Sequence, residues 1–232
     1  MWLLRGILYR ILFYAGSILV AVSGAIAAPF SARAVRLIAH WWAGWFLWCC
    51  RVVLGIRLEV RGEVPQSQAI VAFKHQSAYE TILTLWLFTH PAVVMKAELQ
   101  SIPLWGYVSA RHGSIYVARG KAGAALKAMI RQARARIAAG RPVVIFPEGT
   151  RVAPGNRPPL KAGLFGLYSM LGVPVVPVAL NAGSIWPRGF VKGPGTITLA
   201  FGPDIPAGLT REELEGRVHA AINLDPETAP VR

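Results

Sequence analysis

His75 and Glu80 stand five positions apart in Lys74-His75-Gln76-Ser77-Ala78-Tyr79-Glu80. An imidazole beside a carboxylate is the minimum apparatus for taking a proton from a hydroxyl. On one continuous helix the two side chains would point about 140° apart, given 3.6 residues per turn. They meet only if His75 precedes the helix and folds back over its first turn, and Ser77 is a suitable N-cap for that geometry. A carboxylate bonded to one ring nitrogen fixes the tautomer and leaves the other nitrogen to accept a proton. Such a dyad carries no nucleophile, so it suits attack by a substrate hydroxyl on an already activated acyl group. The plainer alternative is structural: Ser77-x-x-Glu80 also reads as a capping box.

Three more stretches place polar or basic residues where an apolar run ends. Val143–Phe146 runs into Pro147-Glu148-Gly149-Thr150-Arg151, where Gly149 permits close backbone approach, Thr150 offers a hydroxyl, and Arg151 can fork onto a phosphate or carboxylate. Lys96-Ala97-Glu98 follows Ala92–Met95, and the run from Gly113 ends at Arg119. Strand ends of this kind, gathered at one rim of a sheet, form a crevice for an acidic ligand. Other chemistries lack their residues. There is no G-x-S-x-G elbow, and Gly113 to Lys121 has the wrong spacing for a phosphate-binding loop. Gly193-Pro194-Gly195 lacks the last glycine of a dinucleotide fingerprint. His40, His75, His90, His112 and His219 never fall at metal-ligand spacing, and Cys49-Cys50 matches no metal or redox motif, so no metal and no cofactor are expected.

The elements that must position these groups follow from the apolar pattern. Seven strands are expected: Leu58–Val60, Ala69–Phe73, Ala92–Met95, Ser114–Val117, Val143–Phe146, Val175–Leu180 and Thr196–Phe201. Two of them, Ala69–Phe73 and Val143–Phe146, are uninterrupted, as strands covered on both faces are. Helices are expected over Lys121–Ala139, stopped by Gly140 and Pro142, and over Lys161–Leu171 before Gly172. Thr210 with Glu213 forms a capping box for a last helix, with Leu209 and Leu214 as its hydrophobic staple; the chain from about Asp225 looks frayed. The alternation gives an α/β layered fold with a mostly parallel or mixed sheet flanked by helices.

Composition sets the surroundings. The chain has 232 residues, 54% hydrophobic, with 25 Lys and Arg against 11 Asp and Glu and a net charge of +14. That apolarity excludes disorder, and two adjacent cysteines exclude a disulfide scaffold. High charge with high apolarity points to an apolar anchor and a basic face turned to something acidic. Ile11 to Phe30 holds no charge over 20 residues, enough to cross a bilayer as a helix. Leu37 to Cys50 is shorter, at roughly 21 Å as a helix, and carries Trp41, Trp42, Trp45 and Trp48, a headgroup-level composition. Residues 1–52 therefore read as a membrane-attaching two-helix motif, one helix deep and one interfacial, before a domain at 53–232. Ala25-Ile26-Ala27 leaves a secretory signal peptide as the competing reading. Most Lys and Arg follow Phe30, which puts the domain on the cytoplasmic side. The tryptophans crowd into the N-terminus rather than an exposed basic groove, so nucleic acid is not an expected partner.

Taken together, these stretches resemble the glycerolipid acyltransferases, most of all the bacterial 1-acyl-sn-glycerol-3-phosphate acyltransferases. Four blocks fall in order: His75 to Glu80; Lys96-Ala97-Glu98-Leu99 with Pro103, Gly106, Gly113 and Ile115, ending at Arg119; Phe146 to Arg151; and Val173 to Val178. The resemblance spans about Glu59 to Phe201. It implies transfer of a fatty acyl group from acyl-CoA or acyl-carrier protein to lysophosphatidic acid, giving phosphatidic acid at the bacterial inner membrane. By that likeness His75 is the base and Glu80 its orienting acid. Glu148, Gly149, Thr150 and Arg151 form the glycerol-phosphate site, with Lys96 and Arg119 as further phosphate contacts. The usual first block ends in Asp; Glu80 is one methylene longer and reaches the imidazole if the backbone shifts slightly. The alternatives are a different lyso-lipid acceptor, such as a lyso-ornithine lipid or another lysophospholipid, and a non-catalytic basic protein that binds lipid or nucleic acid.

Overall fold

The computed structural model describes residues 2–118, 122–189 and 192–232. Two apolar helices, α1 (Trp2–Ala27) and α2 (Ala32–Cys49), are joined by a turn in which Ser31 caps α2 by accepting the Ala34 amide at 3.1 Å. α2 continues through a π-helical turn, Cys50–Leu54, and stops at Gly55, whose φ of 71° suits glycine. The second apolar segment is thus longer than its charge-free run suggested: Ala32–Leu54 gives 23 helical residues. Arg33, Arg36 and Arg51 do not bound the helix but lie within it, as a good helix former can. By length and composition alone, both helices could cross a membrane.

Seven strands follow: β1 (Ile56–Arg61), β2 (Ile70–Phe73), β3 (Ala92–Lys96), β4 (Ile115–Val117), β5 (Val143–Ile145), β6 (Val175–Leu180) and β7 (Gly195–Phe201). They form one sheet in the order β1-β7-β6-β2-β5-β3-β4. Every neighbouring pair is parallel except β6 and β7. All seven expected strands are present, and the mixed sheet flanked by helices is the expected class. Between strands lie α3 (Tyr79–Leu87), α4 (Trp105–His112), α5 (Ala122–Ala138), α6 (Gly163–Leu171), α7 (Ala182–Ile185) and α8 (Arg211–Ile222). The start expected for α5, Lys121, lies outside the described residues.

Alternation along the strands divides the core in two. Val71, Phe73, Val144, Val176 and Val178 face a cluster with Phe13 of α1, Phe46 of α2 and Leu83 of α3. Ile70, Ala72, Val143 and Val175 face a second cluster with Met129 of α5, Leu167 of α6 and Val218 of α8. The expected boundary at residue 52 falls inside the π-helical turn, and Cys49, Cys50, Val53 and Leu54 share the first cluster with the strands. Of the four tryptophans expected at headgroup level, Trp41 and Trp48 are exposed. Trp42 and Trp45 instead donate to α1, at Ser17 Oγ (2.8 Å) and Leu12 O (3.3 Å).

Both ends of α1 are tied to the rest of the molecule. Arg5 Nε donates to Val53 O at 2.6 Å, and Ala28 O, just beyond the helix, accepts Arg111 Nε at 2.7 Å. The capping box of α8 forms as expected. The C-terminus, expected to fray, is pinned: Pro226 O accepts Arg61 Nη1 at 2.5 Å, and Arg232 pairs with Asp204 at 2.6 Å.

Candidate active site

The C-terminal ends of β2, β5, β3 and β4 lie side by side, because these strands are adjacent and parallel. The four stretches singled out for chemistry therefore open at one rim, as expected for a single crevice.

At the centre, β2 ends at Phe73 and the chain turns through residues 74–78 into α3. Glu80, fully buried in the first turn of α3, reaches back. Its Oε1 lies 3.0 Å from His75 Nδ1 and accepts the amides of Gln76 (2.7 Å) and Ser77 (2.6 Å). Its Oε2 accepts Ser77 Oγ at 2.5 Å. His75 and Glu80 thus meet as the entering-turn geometry required. One detail differs: Ser77 is not the N-cap. Ala78 holds that place without a side-chain cap, and Ser77 Oγ accepts the Tyr79 amide at 3.0 Å. The fold-back toward His75 uses the Ser77 amide and hydroxyl on the carboxylate itself, which displaces the cap by one residue.

Beneath the dyad runs a second buried network that the sequence pattern did not suggest. Lys74 Nζ donates to Glu148 Oε1 (2.5 Å), Asn223 Oδ1 (2.7 Å) and Asn156 O (2.9 Å). Glu148 Oε2 accepts the His75 amide at 2.9 Å. Glu148 was expected against a glycerol phosphate, but it is only 1% exposed and both oxygens are engaged. Its carboxylate bonds the His75 amide, and it is not among the residues that line the cavity on this rim.

A cavity of about 1360 Å³ opens on this rim, above the usual range for small-molecule sites. His75, Lys96, Gly149, Thr150 and Arg151 line it, together with Lys161 and Arg188. The last two were not foreseen from sequence: Lys161 looked like a helix start, and nothing near Arg188 marks a motif. Gly149 has φ 68°, the left-handed region that favours glycine, and a Cβ there would come within 3.1 Å of the Lys161 side chain. Arg119 lies outside the described residues. The rest of the cavity is mostly apolar, with Ser109, His112 and Ser114 among its polar exceptions, and reaches α1 and α2, with Ile18, Ile38, Trp42, Leu85 and Val108 on its walls. One end of the space is thus cationic, one wall carries an imidazole, and the remainder suits a hydrocarbon chain. Among the described residues no group of His, Cys, Asp or Glu could hold a metal ion.

Comparison with known proteins follows the same lines. A family model described as acyltransferase matches residues 55–181. The 1-acyl-sn-glycerol-3-phosphate acyltransferase of Pseudomonas aeruginosa is 38% identical over 178 residues, which is 75% of this chain and 69% of that protein. The enzyme of that name from Cocos nucifera is 30% identical over 155 residues, and the match spans half of its length, 50%. The crystal structure of the 1-acyl-sn-glycerophosphate (LPA) acyltransferase PlsC from Thermotoga maritima has the same fold, with a TM-score of 0.71 at 20% identity, over 96% of this chain and 95% of that one.

Proposed function

The chain belongs to the acyltransferase family, and from that premise we propose that it moves a fatty acyl group from acyl-CoA or acyl-carrier protein to the sn-2 hydroxyl of lysophosphatidic acid, forming phosphatidic acid. The observation that carries this reading is the His75–Glu80 contact of 3.0 Å on the wall of a cavity that is cationic at one end and apolar at the other.

In this reading Glu80 holds the proton of His75 on Nδ1, which leaves Nε2 to take the proton of the acceptor hydroxyl. The hydroxyl oxygen attacks the thioester carbonyl, the C–O ester bond forms, the C–S bond breaks, and the imidazolium returns the proton to the departing thiolate. Arg151 and Lys96 hold the acceptor phosphate at the cationic end, Thr150 offers it a hydroxyl, and Gly149 lets it approach the backbone. Glu148 acts through the His75 amide as a positioning residue. The reaction needs no covalent enzyme intermediate, because the donor is already activated.

Membrane placement follows from α1. Its outer face exposes Leu4, Ile11, Ile18 and Ile26, each at least 61%. Both of its ends are bonded to the domain, so the helix lies along the molecule and enters one leaflet rather than crossing. In this reading the basic domain sits on the cytoplasmic face of the inner membrane, where anionic lipids attract it, and the acceptor slides from the leaflet into the apolar part of the cavity.

The test is thioester consumption by the purified chain with lysophosphatidic acid, alongside a lyso-ornithine lipid and a lysophospholipid of larger headgroup. His75→Ala should abolish turnover with the fold retained. Arg151→Ala should raise KM for lysophosphatidic acid by about tenfold, the scale of one charge-assisted contact, with little change in kcat. Equal KM in the arginine variant, or preference for an acceptor without phosphate, would refute the assignment of the cationic end.

A further inference from the structure

The opposite rim of the sheet carries a second cationic assembly. Arg141, just before β5, is 8% exposed. It donates from Nε to His90 O at 2.9 Å, and from Nη2 to Pro91 O at 2.7 Å and His112 O at 3.1 Å. Arg136, on the last turn of α5, packs against it over Gly113. A Cβ on that glycine would lie 2.4 Å from Arg141 Nη1 and 3.1 Å from Arg136 Cζ. Arg36 reaches in from α2, and its charge acts on His90, His112 and Arg141.

Among the described residues, no acidic side chain pairs with this charge. Burial first, then Arg141, Arg36, the neighbouring His90 and Arg136, hold the buried His112 imidazole down to about 3. Two buried guanidinium donors, Arg36 Nε and Arg136 Nε, also make no hydrogen bond. Buried donors are nearly always satisfied, and like charges held together are destabilising. A tetrahedral oxyanion resolves both problems, since two guanidinium forks suit phosphate.

The position narrows the source. His90 and Arg141 precede β3 and β5, whereas His75 follows the parallel strand β2, so this assembly lies at the opposite strand ends from the dyad, with His112 also on the wall of the long cavity. Arg36 lies shortly after the turn joining α1 and α2, whose neighbours Phe30 (84% exposed) and Leu37 (48%) are apolar surface. Cations beside such a surface meet lipid phosphates.

We propose that Arg36 and Arg136, with Arg141 behind them, form a second anion site that takes the phosphate of an anionic membrane lipid. Free phosphate shares that chemistry, and the experiment separates the two sources. The full chain in uncharged detergent and chloride buffer is titrated, with thermal unfolding as readout, using short-chain phosphatidylglycerol, phosphatidylcholine with the same chains, and inorganic phosphate. All measurements are made in an Arg151→Ala background, which weakens phosphate binding at the active site, so that a response lost only in the Arg36 and Arg136 variants belongs to the second site. Phosphatidylglycerol should raise the Tm more than phosphatidylcholine does. Arg36→Gln or Arg136→Gln should weaken that response by about tenfold or more, as loss of one charge-assisted hydrogen bond predicts. Arg136→Lys, which keeps the charge and loses the fork, gives the same comparison with least disturbance of the fold. A response to inorganic phosphate alone, lost in the same variants, would assign the site to the free ion and overturn the lipid source. Unchanged affinities in all three variants would overturn the site altogether.

Discussion

Glu80 accepts four donors at once: one imidazole, two amides and one hydroxyl. Its charge is therefore held by fixed dipoles at the position where an imidazolium would develop, and this preorganisation is what a general base needs. Glu80→Gln keeps the length and removes the charge, so kcat should fall by about 10²-fold, the low end of what a positioned base contributes. Glu80→Asp keeps the charge on a shorter arm and should lose less. Steady-state kinetics of the two variants check the order; a glutamine variant with wild-type kcat would remove the dyad. A second histidine gives a prediction of opposite character. His112 is neutral in the fold, its imidazole pushed from 6.5 to about 3 by burial and by Arg141, Arg36, His90 and Arg136. Between those values the unfolded chain binds a proton that the folded chain refuses, so stability is full above about pH 6.5 and declines as pH falls toward 3. The slope from this one group is about 1.4 kcal/mol per pH unit. Denaturant unfolding in detergent should show it, and His112→Gln should flatten it.

Elements meet at the Lys74–Glu148 pair, which joins the end of β2 to the turn after β5 and, through Asn223, to the end of α8. Lys74→Met would leave a buried carboxylate without its partner, at a cost of about 3–5 kcal/mol. The double change Lys74→Met/Glu148→Leu removes both charges and should recover much of that stability. It should not recover turnover, because the His75 amide has lost its acceptor. Urea midpoints read against kcat would separate the two effects; a double variant no more stable than the single would contradict the burial argument. The same pair marks the limit of what the sequence could tell. The His75–Glu80 contact was legible because the partners are five residues apart, where helix geometry alone says that they meet only across the helix start. Lys74 finds its partners 74 and 149 residues away, and no local pattern carries that information. The central strands β2 and β5 were legible because buried parallel strands read as continuous apolar runs. α4 was not, because its buried residues are Gly106, Ser109 and His112. They are spaced like a helix face but too small or polar to register as apolar periodicity. α2 was underestimated because its arginines lie inside the helix rather than at its ends.

The whole molecule couples a basic α/β domain to an apolar outer surface by sharing a core between them. Phe46 of α2 is 1% exposed and packs in the same cluster as Phe73 and Val178 of the sheet, so α2 is as much domain as anchor. α1 is different: Leu4, Ile11 and Ile18 recur every seven residues and are 70%, 61% and 65% exposed. Attachment and folding should therefore separate by helix. Replacing Leu4, Ile11 and Ile18 together by Gln removes three side chains that each gain about 1.5–3 kcal/mol on leaving water. Partition into vesicles should drop by more than about 10³-fold, while the melting temperature in detergent barely moves. Phe46→Ala should do the reverse, costing about 3–5 kcal/mol of stability and leaving the lipid-facing surface of α1 intact. Vesicle sedimentation and thermal unfolding on both variants decide the matter. If the triple variant sedimented like the parent, the outer face of α1 would not be the attachment surface, and the route by which a lipid acceptor enters the cavity past Ile18 and Trp42 would have to lie elsewhere.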